Sequence, residues 1–432
     1  MIRERVIHRR KCSASAATAW AGLDGLAQRA ASSVITLVLA AFTDPSAVGI
    51  YTTVVIMLSL YQVGFDLPLR QVSFRALGMI NGYAVVRRML FGGSFTASIL
   101  LCAFIIIYVV SGMMQLAVGA SMLPLCAVPL ASAIGAMNMV ALQISGQWRS
   151  VAIIRITSLL LSLAVTVPLV ATTRNLVFAA IQLPLAELVV SLLARWRACL
   201  RPPLSGASGI PVQKLVQQNA VYQAIGWLRV QVDRLVLIVG GSAVSLGLYS
   251  LAFAASRVLL EAPLGTMLNV LRSDLARSAG DDLGIGRRIT KDFSIRLQVI
   301  GVGLCIFVVA AVRPVLALLL AAEWDEALNL VPILAISVFP TIQSWTLGAA
   351  ASHFGIVSKG YASQATGIAL GVVVGVLLLW NLQAGCWMFV VREIVVAAIA
   401  SAAYRSLVTR KALTWCIAAT ILGAALVWLL IQ

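Results

Sequence analysis

Apolar stretches of about one helix length recur along the whole chain and alternate with short polar segments. An α-helix needs roughly 20 mostly apolar residues to cross the hydrocarbon core of a bilayer. Thirteen stretches approach or meet this length, and we predict a transmembrane helix for each. The predicted helices cover 21–43, 46–67, 89–112, 117–142, 151–171, 176–196, 219–241, 244–268, 297–320, 328–350, 360–380, 384–408 and 412–431.

One polar segment differs from the others in composition. The stretch "RACLRPPLSGASGIPVQK" at 197–214 contains three prolines with Gly and Ser between them, which is typical of a loop between two packed bodies. Six predicted helices precede it and six follow before the last one. We therefore predict an N-terminal six-helix lobe at 1–200, a linker at 201–218, a C-terminal six-helix lobe at 219–408 and an additional helix at 409–432.

A short pattern occurs at the same place in both predicted lobes. "SAVGIYTTVVIML" at 46–58 and "VSLGLYSLAFAAS" at 244–256 both open a second helix, and both place Gly two residues before Tyr. This correspondence favours an internal duplication. Two repeated helical lobes are a transporter architecture in which the substrate path lies between the repeats.

The composition supports the helical assignment. Hydrophobic residues make up 61% of the chain, charged residues 11%, and the mean hydropathy is +0.99. Soluble domains contain about 45–50% apolar and about 25% charged residues. The predicted fold class is therefore an all-α, polytopic membrane protein with two six-helix bundles and an extra C-terminal helix.

The net charge of +17 gives the predicted orientation. With the N-terminus in the cytoplasm, 24 of the 32 basic residues fall in the cytoplasmic segments and one, Arg174, falls in an external turn. Lys and Arg accumulate on cytoplasmic loops of membrane proteins, so the charge is topogenic and does not indicate nucleic-acid binding.

Catalytic chemistry has little support in the sequence. The external turns are short and contain no His, and no nucleophile–base set is recognisable. The seven cysteines are scattered without a CxxC pair, and the two histidines stand far apart. We predict no enzyme activity, no metal site and no cofactor.

Ionisable residues inside predicted spans are the strongest functional signal, because each costs roughly 2.5–3.5 kcal/mol at mid-bilayer unless it faces a cavity or a partner. Arg229 and Asp233 are four residues apart, as are Arg257 and Glu261, so each pair can meet on one helix face. Such spacing is absent for Arg29, Arg155 and Arg234. The candidates within spans are Asp24, Arg29, Arg155, Glu187, Arg229, Asp233, Arg234, Arg257, Glu261, Arg392 and Glu393, whereas Arg313 near the outer end of 297–320 is assigned to the membrane interface.

The stretch "QNAVYQAIGWLRVQVDRLVLIVGGSAVSLGLYSLAFAASRVL" resembles the seventh and eighth helices of Wzx-like polysaccharide-transport flippases. These proteins belong to the multidrug/oligosaccharidyl-lipid/polysaccharide exporter superfamily. The resemblance is carried by Asp233, Arg234, Leu235, Gly247, Tyr249 and Ala252, and "AAEWDEALNLVPILAISVFPTIQSWTLGAAASHFGIVSKG" is similar to the ninth-to-eleventh helix region. It extends over most of residues 15–408. Family members usually have 12 or 14 spans, whereas this chain has 13 predicted spans.

The resemblance implies a flippase of the bacterial inner membrane. Its substrate would be a polyprenyl-diphosphate-linked oligosaccharide, moved from the inner to the outer leaflet by alternating access of the two lobes. Besides this substrate, the partners would be membrane lipids and other polysaccharide-assembly proteins. Arginine binds phosphate oxygens in pairs, so Arg29, Arg155 and Arg234 are the candidate contacts for the diphosphate. The candidates for ion coupling or ion pairing are Asp24, Glu187, Arg229, Asp233, Arg257 and Glu261.

Two alternatives remain open at this point. One is an ion-coupled multidrug or small-molecule exporter of the same superfamily, which we expect to have more acids than bases in its cavity. The other is a membrane polysaccharide polymerase or acyltransferase, which usually needs a large external loop with catalytic side chains.

Overall fold

A computed structural model gives the fold of the chain. It describes five long stretches of the chain and, outside them, a few single residues and short pieces. The stretches are 33–66, 82–145, 147–197, 212–258 and 282–431, and the pieces are 20, 23, 24, 27, 68, 69, 264, 267, 268, 270–272, 274 and 275. Helices and turns make up the described stretches, which contain no β-strand. The predicted all-α class is confirmed.

The chain divides into two compact units. The first comprises Met1–Ala31 and Ile50–Trp227, and the second comprises Ser32–Gly49 and Leu228–Gln432. Helix α2 at Pro45–Tyr61 and helix α8 at Val212–Gly240 each contribute to both units.

The first unit contains most of α2, which continues into a π-helical turn at Gln62–Asp66, and the first part of α8. Its other helices pack mainly through α5 against α7 and α7 against α6. They are α3 at Gly82–Val110, α4 at Leu116–Met122, α5 at Val128–Ile144, α6 at Trp148–Thr173 and α7 at Leu176–Arg197.

The second unit contains α1 at Ser33–Phe42, the start of α2, most of α8, and the remaining helices. Its strongest packing joins α14 to α15. The remaining helices are α9 at Ala243–Phe253, α10 at Leu283–Phe307, α11 at Arg313–Leu319, α12 at Asp325–Ile336, α13 at Val338–His353, α14 at Tyr361–Trp380, α15 at Leu382–Ala403 and α16 at Arg410–Ile431.

Within the described residues, eight helices are long and apolar enough to cross a membrane, and the bent pair α12–α13 makes a ninth if it is one span. Every one of the thirteen predicted segments coincides at least in part with described helix. Four predicted segments are not among these eight or nine candidate spans, namely those that contain α1, α8, α9 and α16. Helix α8 carries three charged residues between 229 and 234, which lowers its apolarity. The multi-pass membrane character is thus confirmed.

Two predicted boundaries differ from the structure for local reasons. Helix α10 begins at Leu283, within the polar segment 269–296 between two predicted helices. It begins there because the Asp282 carboxylate caps it by accepting hydrogen bonds from the backbone N–H groups of Gly284 and Ile285. The predicted helix 328–350 is bent by 43° between α12 and α13. Pro340 has no N–H to donate to the preceding turn, so the helix cannot continue straight through Ser337.

The final helix is an integral part of the second unit. Helix α16 packs against α10, α12 and α13. Its Gly423 faces Phe339 of α13 closely enough that an added Cβ atom would lie 2.8 Å from the ring. The small residue lets the two helices approach each other, which is common where helices pack in membranes.

The repeated Gly-x-Tyr pattern marks a close helix crossing in the second unit. A Cβ atom on Gly49 would clash with the carbonyl of Ala243 at the start of α9, and one on Gly247 would clash with the carbonyl of Pro45 at the start of α2. The two glycines therefore allow the first turns of α2 and α9 to meet backbone to backbone. The tyrosines that follow, Tyr51 and Tyr249, are both buried.

We expect Gly247→Ala to destabilise the protein, because the obstructing atoms belong to the backbone and cannot rotate away. The loss should be about 1–3 kcal/mol or more, as for other overpacked sites. Melting of the detergent-solubilised protein, followed by size-exclusion fluorescence, would measure it. Gly303→Ala is the matched control, since its Cβ would meet nothing within 4 Å. Equal melting temperatures for the two variants would contradict the crossing.

Candidate functional site

The second unit buries a cluster of charged side chains between α8, α9, α13 and α15. Asp233, Arg257, Arg392 and Glu393 are each at most 5% exposed. Arg229 and Arg234 of α8 lie beside them and are partly buried. We call these six residues, together with Tyr249, the second-unit cluster.

A stripe of small residues brings α8 into this position. Gly367, Gly371 and Gly375 follow one another at intervals of four on α14, so they share one helix face. A Cβ atom on Gly371 would clash with Val232, and one on Gly367 would lie 3.0 Å from the Arg229 side chain. Because these positions are glycine, the charged part of α8 lies directly against α14.

Asp233 is fully buried and is held by three groups. The Tyr249 hydroxyl donates to Oδ2 at 2.6 Å, and the backbone N–H of Arg234 donates to Oδ1 at 2.9 Å. Arg392 Nη1 lies 3.9 Å from Oδ2, an ion pair without a direct hydrogen bond. Asp233 and Tyr249, two of the residues that carry the family resemblance, are therefore in direct contact.

Glu393 is the second carboxylate of the cluster, and two arginines share it. Arg392 donates to Oε1 through Nη2 at 2.9 Å and through Nε at 3.2 Å. Arg229 Nη2 donates to Oε2 at 3.3 Å, where the Thr341 hydroxyl also donates at 3.1 Å. Both oxygens of this buried carboxylate thus accept charge-assisted hydrogen bonds.

Arg257 connects the cluster to the bend between α12 and α13. It lies in the π-helical turn Ala254–Val258 that continues α9, and its Nη1 donates to the Ser337 hydroxyl at 2.7 Å and to Thr341 at 3.2 Å. Ser337 is the residue at which the two helices meet. Broken helices and π-helical turns are frequent at functional sites of membrane transporters and other proteins.

Aromatic rings lie beside three arginines of the cluster. The Arg234 guanidinium lies 3.9 Å from the ring centre of Phe253, and Arg392 lies 4.1 Å from that of Phe389. Arg257 is within 5.6 Å of both ring centres, and the two rings meet edge to face. Each arginine therefore has an electron-rich face beside it, which stabilises cations at close spacing.

Three arginine nitrogens of the second-unit cluster have no hydrogen-bond acceptor among the described residues. Arg229 Nε, Arg234 Nε and Arg392 Nη1 are buried, and none of them donates to a described acceptor. Arg234 also has no carboxylate partner within 4.0 Å among the described residues, and its one side-chain acceptor is Gln231 Oε1 at 3.2 Å. Buried donors without acceptors are costly, so this arrangement favours an anion or water as a further partner.

The first unit contains a separate ionic site at which Arg155 of α6 is the central group. Its Nε lies 3.2 Å from Asp24 Oδ1, and its Nη1 lies 3.6 Å from Glu187 Oε1 of α7. The Glu187 side chain is 21% exposed and that of Asp24 is 8% exposed. Two carboxylates thus share one guanidinium group within predicted spans.

The predicted site residues separate into two groups in the structure. Asp24, Arg155 and Glu187 meet in the first unit, and Arg229, Asp233, Arg234 and Arg257 meet in the second. Arg29 and Glu261 lie outside the described residues. Arg229 and Asp233, which their spacing allowed to meet, both belong to the second-unit cluster, and the described ion pair of Arg229 is with Glu393 of α15.

Several cluster members were missed as site residues. Arg392 and Glu393 are visible as charges in an apolar segment, which is a signal that they face a partner. Ser337 and Thr341 carry no comparable signal, because Ser and Thr are frequent in membrane helices. Their role follows only from the bend that brings them to Arg257. The described part of the chain contains no group of three His, Cys, Asp or Glu side chains that could hold a metal ion.

Comparison with known proteins identifies the fold. No protein-family model and no curated protein matches the sequence. Solved structures match over nearly the whole chain. The eukaryotic MATE transporter AtDTX14 is 15% identical with a TM-score of 0.63, covering 95% of this chain and 98% of its own.

Two further structures show a multidrug resistance MATE family transporter of the MOP superfamily. The outward-facing one is 14% identical with a TM-score of 0.58 and covers 96% of each chain. The inward-facing one is 13% identical with a TM-score of 0.57, covering 94% of this chain and 95% of its own. This chain therefore has the fold of MATE transporters of that superfamily. All three of these structures are described as transporters.

We expect Glu393→Gln to destabilise the second unit strongly, because it leaves Arg229 and Arg392 without their shared counter-charge. Breaking one partner of a buried ion pair typically costs about 3–5 kcal/mol. Scanning fluorimetry of the purified protein would show this as a lower melting temperature. The exposed Glu323→Gln removes the same charge at the surface and should change little. A Glu393→Gln protein as stable as this control would contradict the role of Glu393.

Proposed function

We propose that this protein is an ion-coupled membrane exporter of small amphipathic molecules that works by alternating access. The observation that carries the proposal is the fold, which matches transporters described as multidrug resistance proteins over 94–96% of this chain. The repeated Gly-x-Tyr pattern supports alternating access, since repeats of this kind underlie the mechanism in other transporters. A cytoplasmic N-terminus is part of the proposal and rests on the distribution of basic residues, and a bacterial inner-membrane location rests on the family resemblance.

The site at Asp24, Arg155 and Glu187 supports ion coupling. A single guanidinium group contacts both carboxylates, so either carboxylate can be neutralised while Arg155 keeps an anionic partner. Glu187 is the more exposed of the two and the farther from Arg155, so we assign the exchange of a proton or cation to it. Binding one positive charge at Glu187 would weaken its contact with Arg155 and so link ion binding to the packing of α6 and α7.

A cavity of about 570 Å³ in the first unit supports a small apolar cargo. Its lining includes Met57, Phe65, Met89, Leu100 and Phe104. This volume lies within the range of about 300–1,000 Å³ found for small-molecule sites, and flexible methionines adapt to varied ligands.

Glu187→Gln should abolish coupled export while leaving the fold intact, because Gln keeps the shape but cannot exchange charge. The measurement is ethidium accumulation in a bacterial host that lacks its own major efflux pumps. Cells expressing the native chain should accumulate less dye than vector cells, and Glu187→Gln cells should accumulate as much as vector cells. Glu323→Gln, an exposed acid outside the site, should behave as native. Normal export by Glu187→Gln at equal protein level would exclude the coupling role.

The second-unit cluster supports a second candidate, the flipping of a lipid-linked oligosaccharide diphosphate. Its buried arginine donors lack described acceptors, which suits an anionic headgroup better than a cationic drug. For this candidate Arg234 is the principal headgroup contact, since no described carboxylate neutralises it. Arg155, which also contacts two carboxylates, and Arg29 are the further candidate headgroup contacts. Polysaccharide-assembly proteins would then be the expected partners.

Arg234→Gln distinguishes the two candidates. If the chain flips a lipid diphosphate, this variant should reduce surface polysaccharide in cells that depend on the chain, and Arg234→Lys should restore part of it because the charge returns without the planar fork. Arg195→Gln, an exposed arginine at the end of α7, is the control. Normal polymer in Arg234→Gln cells, together with dye export, would support the exporter alone.

A further inference from the structure

A groove of about 640 Å³ opens in the second unit between α13, α15 and α16. One part of its wall is apolar and includes Ile394, Ala397, Ala398, Leu413, Ile417 and Ile421. From Leu413 to Ile421 the wall extends about 12 Å along α16. This is close to the hydrocarbon depth of one leaflet, about 15 Å. The groove therefore has the length and the surface of a site for an acyl chain.

One end of the groove is strongly cationic. Arg405 and Arg410 flank the turn between α15 and α16, and Arg287 of α10 reaches the same turn, where its Nε donates to the carbonyl of Val408 at 2.8 Å. All three arginines line the groove and are exposed. None has a carboxylate within 4.0 Å among the described residues, and no acidic side chain lines the groove.

A buried hydroxyl next to this end also lacks a partner. Ser401 lines the groove and is 7% exposed, and its Oγ forms no hydrogen bond with a described group. It precedes Arg405 by four residues, about one helical turn. A buried hydroxyl without a partner is costly, so an occupant of the groove that offers an acceptor oxygen would be stabilised here.

We propose that this groove binds one anionic membrane phospholipid of the phosphatidylglycerol class. The phosphate contacts Arg405, Arg410 and Arg287, and the Ser401 hydroxyl donates to an ester or phosphate oxygen. One acyl chain follows the apolar wall formed by α15 and α16. Arginine forks suit phosphate oxygens, and the charge distribution assigns this end of the groove to the cytoplasmic leaflet, where anionic lipids attract basic residues.

Charge complementarity favours a phospholipid over the other apolar occupants. A neutral drug would leave the three arginines without an anionic partner, and an apolar helix would also leave the Ser401 hydroxyl without an acceptor. The groove also lies apart from the residues assigned to transport, since none of the second-unit cluster lines it. The proposal is therefore independent of which cargo the protein moves.

The test uses the full chain, purified in detergent and freed of lipid. Phosphatidylglycerol or phosphatidylcholine with the same acyl chains is added in mixed micelles, and the melting temperature is recorded as a function of lipid concentration. Ligand that binds only the folded state raises the melting temperature in a saturable manner. We expect a saturable increase with phosphatidylglycerol and a much smaller one with phosphatidylcholine.

Two variants locate the effect. Arg405→Gln/Arg410→Gln should lose most of the phosphatidylglycerol-specific shift, whereas the matched double variant Arg195→Gln/Arg197→Gln, which removes two exposed arginines of α7, should keep it. Ala398→Trp places a large side chain in the groove at an exposed position and should also reduce the shift without removing charge.

Other results would overturn the proposal. Equal shifts in both double variants would indicate general attraction to basic residues. An equal shift with glycerol phosphate, which lacks acyl chains, would indicate a site for free phosphate. Stabilisation by a polyprenyl phosphate but not by phosphatidylglycerol would mean that the groove holds a carrier lipid. A full shift in Ala398→Trp would place the lipid elsewhere on the protein.

Discussion

Two buried carboxylates hold the core of the second unit together. Asp233 and Glu393 lie in a membrane-spanning interior where a single unpaired charge is costly, and they fix Arg229 and Arg392 by direct contact. The glycine stripe of α14 lets α8 lie close to it, which brings Arg229 and Asp233 to their partners on α15. Tyr249, from the repeated Gly-x-Tyr pattern, completes the site by donating to Asp233.

The same arrangement explains how several arginines can occupy one small region. Phe253 and Phe389 offer ring faces to Arg234, Arg257 and Arg392. Glu393 accepts hydrogen bonds from Arg229 and Arg392, and the hydroxyls of Ser337 and Thr341 accept from Arg257. The donors that remain make the site receptive to an anion. In the first unit, by comparison, two carboxylates, Asp24 and Glu187, contact the Arg155 guanidinium group. The ion coupling proposed for that site uses its carboxylates, and the anion binding proposed for the second-unit cluster uses its arginines.

This difference relates the two candidate functions to separate parts of the molecule. Cation exchange in the first unit suits an ion-coupled exporter, and anion recognition in the second suits a diphosphate headgroup. Ion coupling and anion recognition are compatible within one transporter, so the cargo is the property that separates the candidates. The arginine-rich groove beside α16 adds a third, lipid-facing feature, and it gives the final helix a role besides packing against α10, α12 and α13.

The sequence by itself determined the membrane-spanning helices and most of the charges that the second-unit cluster brings together, because the length and apolarity that a bilayer requires are local properties of the chain. It also indicated the repeated Gly-x-Tyr pattern and the general site residues. Tertiary structure alone decided the partners: Arg229 pairs with Glu393 of a helix more than 150 residues later, and Arg257 reaches the bend at Ser337. Such contacts depend on which helix faces pack together, and spacing along one helix carries no information about the neighbouring helix.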